Sequence, residues 1–229
     1  MLIFAHRGAS KALPENTVDA FKLAFEEDAD GIEFDTFQHP EGIIVFHDKT
    51  LNRTTNGRGF LLSTPLSELR QLDAGLGTRI PTLVETLATV PKGKWCNIEI
   101  KQLTDADSWV SEVRHTVASS GIEVEKLLIS SFNHHWLKQI RDLWPEVKIG
   151  ALSASYSLQP CYDAHMLRAY SMHIALDVAS PEYVQQALAE GFDVFVFTVD
   201  EIEDMQRLAA YGVTGIFTNV PDIARSIFK

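Results

Sequence analysis

Apolar residues fall along this chain in two alternating rhythms. Short β-rich runs occupy residues 2–5, 31–37, 95–101, 126–130, 147–152, 172–178, 193–199 and 214–218, eight in all. Between them apolar residues recur every three or four positions, the spacing of a helix with one buried face. After Asn16-Thr17, for example, Val18, Phe21 and Phe25 share a face while Asp19, Lys22 and Glu26 turn away, and either Asn16 or Thr17 can cap the free amides. Ser180 precedes Pro181, a favoured first helical residue, and Gly191 marks the stop. Asp200 can cap a helix carrying Ile202, Met205 and Leu208 that ends near Gly212.

Strand and helix alternating eight times in 229 residues predict an α/β fold, a TIM (β/α)8 barrel in one domain. A doubly wound sheet is the competitor. Neither GxGxxG nor GxxxxGK[ST] follows the first strand, so the glycine loops that cradle phosphate in common doubly wound proteins are missing. One stretch breaks the rhythm. Residues 38–80 are too long for an ordinary βα loop and read as a small insertion after the second strand, over the barrel mouth. It starts with a hairpin, His39-Pro40-Glu41-Gly42 leading into Ile43-Ile44-Val45-Phe46. A turn at Pro40 and Glu41 returns His47 alongside Phe34, close to Glu33 and Asp35.

Composition narrows the function. With 45% hydrophobic and 22% charged residues the chain can bury a full core. Its formal charge of -11, with no runs of Lys or Arg, disfavours nucleic acid and anionic membranes as partners. An anionic small molecule would need locally placed cations or a metal. Cys96 and Cys161 lack metal-type spacing and read as reduced packing residues. No apolar stretch approaches the roughly 20 residues of a membrane span, and Met1-Leu2-Ile3-Phe4 runs directly into a polar motif. A soluble cytoplasmic protein without stable membrane association is the expectation.

The chemistry sits at the ends of the apolar runs. Side chains two apart in a strand share a face, so Glu33 projects with Asp35, and Glu99 with Lys101. Both pairs should point into the barrel near its top. Three carboxylates gathered there repel one another unless a cation lies among them. Hard oxygen ligands without Cys suit Mg²⁺ or Ca²⁺ rather than Zn²⁺. The plain alternative is ion pairing with Arg7 and Lys101 that only fills the barrel end. Convergence of His6 and His47 on the same place weighs against it, because charged groups are rarely buried together without a function.

Nine short motifs follow in order along almost the whole chain: His6-Arg7-Gly8, Pro14-Glu15-Asn16-Thr17, Glu33-x-Asp35, Phe46-His47-Asp48, Arg53-Thr54-Thr55-Asn56-Gly57, Pro81-Thr82-Leu83, Ile98-Glu99-Ile100-Lys101, Ser130-Ser131-Phe132 and Thr198-Val199-Asp200. On these residues the chain resembles the glycerophosphodiester phosphodiesterases. The resemblance implies a TIM barrel, a divalent metal held by Glu33, Asp35 and Glu99, two catalytic histidines at His6 and His47, and phosphate held by Arg7 and Lys101. The chain departs where Asn is expected after Thr-Val, having Asp200, and where Asp is common in the last strand, having Asn219. Phe197 stands where many relatives have Trp, a change that bears on the alcohol pocket.

The expected reaction is metal-dependent hydrolysis of a glycerophosphodiester to sn-glycerol 3-phosphate and an alcohol. The metal, Arg7 and Lys101 would neutralise charge, and His6 and His47 would act as general base and general acid. Attack by the neighbouring glycerol hydroxyl, through a cyclic phosphate, and direct attack by water are both open. Phe132, at a strand end, is the candidate for lining the substrate pocket. The other histidines, His39, His115, His134, His135, His165 and His173, read as structural, with His134-His135 at a helix start. A lysophospholipase D would want an apolar rim, hinted at by Phe60-Leu61-Leu62. A silent phosphodiester-binding protein would be expected to have lost a histidine or a ligand. Head group, choice of metal and oligomeric state have no readable signature.

Overall fold

In the computed structural model, which describes residues 1–228, nine strands lie in chain order at Leu2–His6 (β1), Gly31–His39 (β2), Gly42–Val45 (β3), Trp95–Gln102 (β4), Leu127–Ser131 (β5), Lys148–Ser153 (β6), Ser171–Ala175 (β7), Asp193–Phe197 (β8) and Gly215–Thr218 (β9). Eight of them pair in parallel in the order β1-β9-β8-β7-β6-β5-β4-β2. Pairing of β1 with β2 then closes the ring, so the fold is a TIM barrel and not an open doubly wound sheet. The ninth, β3, lies antiparallel on the outer end of β2.

Helices at Val18–Glu26 (α1), Leu66–Leu69 (α2), Leu83–Leu87 (α3), Ala106–Ser120 (α4), His134–Leu143 (α5), Tyr162–Leu167 (α6), Pro181–Ala189 (α7), Ile202–Tyr211 (α8) and Pro221–Ile227 (α9) connect the strands. Their starts follow local chemistry. Thr17 caps α1 through Ala20 N, Asn133 caps α5 ahead of His134, and Ser180 caps α7 with Pro181 in the first turn. Thr82 and Glu85 form a reciprocal capping box on α3. Asp200 does not cap α8: Glu201 holds the cap position without a side-chain bond, and the Asp200 carboxylate is bonded to β9 and the residue after it.

Alternation along the strands sorts the core into layers. Ile3, Ile32, Ile98, Ile129, Ile149, Ile174, Val196 and Ile216 face the helices and belong to the main core. Phe4, Trp95, Leu128, Phe195 and Phe217 point the other way and plug the barrel, with Phe4 5.3 Å from Phe217 and 5.5 Å from Phe195 between ring centroids. His173 completes this plug, fully buried between Phe195 and Phe217. Gly150 on β6 makes room for it. A Cβ there would lie 2.3 Å from His173 Cε1.

The strands end slightly differently from the apolar runs. β7 stops at Ala175, where a 3-10 turn at Leu176–Val178 leads to the Ser180-Pro181 helix start. β8 stops at Phe197, because the next residues bend toward Asn219. In the long segment after β2, Pro40 and Glu41 make the turn and the register pairs Thr36 with Val45 and His39 with Gly42. Phe37, Ile44, Phe46, Leu51, Leu61, Leu69, Ala74 and Ile80 form a separate small core there. Among the described residues no helix is long and apolar enough to cross a membrane.

Candidate active site

The aromatic plug leaves the C-terminal ends of β1, β2 and β4 to polar side chains. Glu33 and Asp35 of β2 and Glu99 of β4 are all buried, and one carboxylate oxygen from each lies within 4.8 Å of the others. Register brings this about: Asp35 sits opposite Glu99, and His6 of β1 opposite Glu33. His6 Nε2 is 4.0 Å from Glu33 Oε2.

Two cations face the three acids. Lys101 Nζ donates to Glu99 Oε1 at 2.8 Å and lies 3.6 Å from Asp35 Oδ1. Arg7 Nε is 3.1 Å from Asp35 Oδ2, and the Arg7 backbone N donates to Glu33 Oε2 at 3.1 Å. Part of the cluster is therefore the ion pairing that would merely fill a barrel end. It falls short of neutralising it, since Glu33 Oε1 and Asp35 Oδ1 are buried without any hydrogen-bond donor. Burial, then the charges of Asp35 and Glu99, push the Glu33 carboxyl well above the usual range. Burial and Asp35 raise Glu99 to about 7. An all-oxygen set with unmet lone pairs fits a hard divalent cation.

Backbone shape aims Arg7. Arg7 and Gly8 both adopt positive φ, 59° and 82°, which turns the chain back across the end of β1. Gly8 is required by space as well, because a Cβ there would meet the Ala20 carbonyl carbon at 2.6 Å.

Several residues to which the sequence reading gave no part in the site hold the cluster in place. Asn16, also at positive φ, is not the α1 cap: its Nδ2 donates to Asp35 Oδ2 at 2.8 Å, and Thr17 does the capping. Glu15 accepts from Arg7 at 2.8 Å and from both terminal nitrogens of Arg53. Burial opposes ionisation of Glu15, but the hydrogen bonds from Arg53 and the charge of Arg7 hold it down at about 2. Arg53 also grips both oxygens of Asp48, whose Oδ1 lies 2.6 Å from His47 Nδ1. An unbroken chain of ion pairs thus runs from Arg7 in the barrel to His47 on the added segment. The signal for these residues was their position inside the quoted motifs; no periodicity marks them.

His47 stands at the mouth, just after Phe46, whose N–H donates to the Asp35 carbonyl at 2.9 Å. His6 is deeper. Burial, and next the Arg7 charge, lower its value to about 4, so it is a neutral imidazole. Its Nδ1 lies 2.8 Å from Asn219 Oδ1. Asn219 is in turn bound to Asp200, so the chain's two departures from the family pattern contact each other. Phe132 follows β5, is 48% exposed, and lies 5.9 Å from Lys101 Nζ and edge-on to Phe197. The cavity that touches the cluster itself is small, about 20 Å³, and is lined by His6, Glu33, Asn97 and Glu99; two larger concavities share residues with its surroundings. One of about 410 Å³ is lined by Phe132, His134, Ser153 and Asp163; the other, of about 500 Å³, by Ser10, Glu15, Arg53 and Asn56. His39, His134, His165 and His173 are each engaged in structural hydrogen bonds.

Known proteins resemble the chain over almost its whole length. The chain is 40% identical over 230 residues to the glycerophosphodiester phosphodiesterase of Caldanaerobacter subterraneus subsp. tengcongensis, covering 96% of this chain and 95% of that protein. It is 33% identical over 238 residues to the glycerophosphodiester phosphodiesterase of Bacillus altitudinis, covering 98% and 97%. An Oleispira antarctica phosphodiesterase, solved in complex with the product sn-glycerol-3-phosphate, superposes with a TM-score of 0.90 at 28% identity, covering 99% of this chain and 96% of that one. Residues 6–223 match the glycerophosphoryl diester phosphodiesterase family, and with full-length relatives at this identity the chain belongs to that family.

Proposed function

We propose that this protein hydrolyses glycerophosphodiesters to sn-glycerol 3-phosphate and an alcohol, using one divalent cation, Mg²⁺ or Ca²⁺, held by Glu33, Asp35 and Glu99. The observation that carries the reading is the buried acid triad with two undonated oxygens, set beside His6, Arg7 and Lys101. Bound there, the cation supplies positive charge that draws electron density from the phosphate oxygens. Arg7 and Lys101 add the fixed charges that bind and orient the phosphodiester anion. Phe132 lines the side on which the alcohol leaves.

His6 and His47 divide the proton work. His6 is neutral, with Nδ1 bonded to Asn219, so its Nε2 lone pair takes the proton of the attacking hydroxyl. His47 Nδ1 faces the Asp48 carboxylate, which offsets the charge of an imidazolium; its Nε2–H protonates the departing alkoxide oxygen. One P–O bond forms as the other breaks. When the attacking hydroxyl is that of the glycerol, a cyclic phosphate results and water opens it with the two histidines in exchanged roles; otherwise water attacks directly. An analogue lacking the 2-hydroxyl separates the routes, since its rapid hydrolysis would exclude the cyclic one.

Release of glycerol 3-phosphate from a panel of head groups, with and without chelator, tests the proposal. Turnover that chelator removes and Mg²⁺ or Ca²⁺ restores is expected; absence of release from every diester would sink it. In the added segment Leu61 is fully buried and the strongly exposed large apolar side chains are Phe60 and Leu76, so the Phe60-Leu61-Leu62 run offers a lysophospholipase D no continuous apolar rim. A cytoplasmic location belongs to the same proposal, and the buried free thiols of Cys96 and Cys161 suit a reducing compartment.

A further inference from the structure

Asp200 makes no hydrogen bond to the acid triad or His6, yet its carboxylate is committed to Asn219, which contacts His6, and to Thr218 beside it. Oδ1 accepts from the Asn219 backbone N at 2.8 Å and from Thr218 Oγ1 at 3.2 Å, and Oδ2 accepts from Asn219 Nδ2 at 2.7 Å. An amide with its NH2 against a carboxylate has one orientation, because the flipped form would set its carbonyl against the same negative charge. Asn219 Oδ1 therefore faces the other way, where Ser10 Oγ lies at 2.7 Å and His6 Nδ1 at 2.8 Å. That oxygen can only accept. His6 Nδ1 must then carry the hydrogen, and the lone pair of the neutral ring falls on Nε2, the nitrogen that looks toward Glu33.

We propose that Asp200 is a positioning residue for His6, acting through Asn219: it locks the amide so that His6 is held in its Nδ1–H tautomer with Nε2 free to accept a proton. This rests on the reading of His6 as the general base. The role is absent from the local sequence, in which Asp200 looks like a helix cap. It is created by the strand order of the barrel, in which β9 lies between β8 and β1 and its end meets the ends of both.

The donor and acceptor pattern makes the proposal testable by exchange. In Asp200→Asn a single side-chain oxygen cannot serve the backbone N, the amide and the Thr218 hydroxyl together, and an NH2 is turned on Asn219. The Asn219 amide then loses its lock. In Asn219→Asp two carboxylates meet at the former hydrogen bond. In the double variant Asp200→Asn/Asn219→Asp an amide again faces a carboxylate, and a carboxylate oxygen again accepts from His6 Nδ1. Asp200→Asn is expected to lower kcat at least about tenfold with KM within about twofold, as for an imidazole released to its other tautomer, and Asn219→Asp to lower kcat because repulsion from Asp200 drives its carboxylate out of line with His6 Nδ1. The double variant is expected to recover most of the loss. A double variant no better than the worse single one overturns the proposal, as do single variants with unchanged kcat.

Long-range ¹H–¹⁵N correlation of the imidazoles at pH 8 reads the tautomer without turnover, with His6 identified by the signal lost in His6→Gln. The Nδ1–H form should dominate in the native protein, an Nε2–H population should appear in Asp200→Asn, and it should recede in the double variant. An Nε2–H tautomer in the native protein, or one unchanged in Asp200→Asn, refutes the role of Asp200. Should native protein hydrolyse no diester at all, the proposed activity fails, while the tautomer measurement still stands or falls on its own.

Discussion

Asn16 grips Asp35 at two points: its amide donates to Asp35 Oδ2 at 2.8 Å, and its carbonyl oxygen accepts from the Asp35 backbone N at 3.3 Å. This pair ties the loop before α1 to the centre of the acid triad. It also leaves Asp35 Oδ1 as the oxygen free for a cation. Asn16→Ala removes the donor and frees the carboxylate to rotate. Divalent-cation affinity by isothermal titration should fall about 10- to 100-fold, the usual effect of losing an outer hydrogen bond to a ligand. Affinity equal to native would show that Asp35 is oriented without Asn16.

The ion-pair chain from Arg7 to His47 passes through Arg53, whose side chain is nearly half exposed. Exposed pairs add little to stability, so Arg53→Leu should shift the unfolding free energy by no more than about 1 kcal/mol. Its effect on turnover should be larger, because Asp48 then loses its grip and His47 its fixed ring. A fall in kcat beyond tenfold with near-native urea unfolding is expected. Equal, small changes in both would show that the chain is decorative.

Removing either proton-transfer group should be decisive. His6→Ala and His47→Ala are each expected to reduce kcat by at least about 100-fold, the lower range for general acid-base catalysis. Circular dichroism should remain native for both. Near-normal turnover from either variant would overturn the division of labour.

Protons and the cation compete for the triad. Glu99 rises from an ordinary 4.5 to about 7 in the folded chain, and Glu33 moves the same way. A carboxyl raised on folding contributes stability that is complete below 4.5 and lost as pH climbs through 7. In chelator, the melting temperature should accordingly decline between pH 5 and pH 7, against a background where Glu15, depressed to about 2, is ionised throughout. Adding Mg²⁺ or Ca²⁺ should displace protons at pH 6, seen as a binding heat that depends on buffer ionisation enthalpy. A melting temperature flat with pH, or no proton release, would contradict the triad as the cation's seat.

Gly150 and His173 occupy complementary space in the barrel plug. Gly150→Ala should destabilise by about 1–3 kcal/mol through overpacking, since the new Cβ falls 2.3 Å from the ring. His173→Ala in the same chain should recover part of that loss. Purely additive effects in urea unfolding would mean the two do not meet.

How much of this was legible in the sequence follows from the range of each interaction. Side-chain alternation is a property of two neighbouring residues, so Glu33 with Asp35 and Glu99 with Lys101 could be placed on one face before any partner strand was known. The two-residue turn at Pro40 and Glu41 likewise sets its own register, which is how His47 could be assigned to the barrel mouth. The helix starts read at Ser180-Pro181 and His134-His135 are local as well.

The residues that hold those side chains depend on contacts no local pattern encodes. Asn16 and Asp200 both have the chemistry of caps; sequence reading took Asp200 as one and left Asn16 as an alternative to Thr17. The closed barrel brought stronger partners, a buried carboxylate for one and the Asn219 amide for the other. His6 and Asn219 lie 213 residues apart and meet only because β1 closes against β9. Sequence alone thus determined the eight strands of the barrel, the inward faces and the chemical cast. Tertiary structure decided which polar groups are paired and which are left over, because desolvation and hydrogen-bond competition act between groups brought together only by folding.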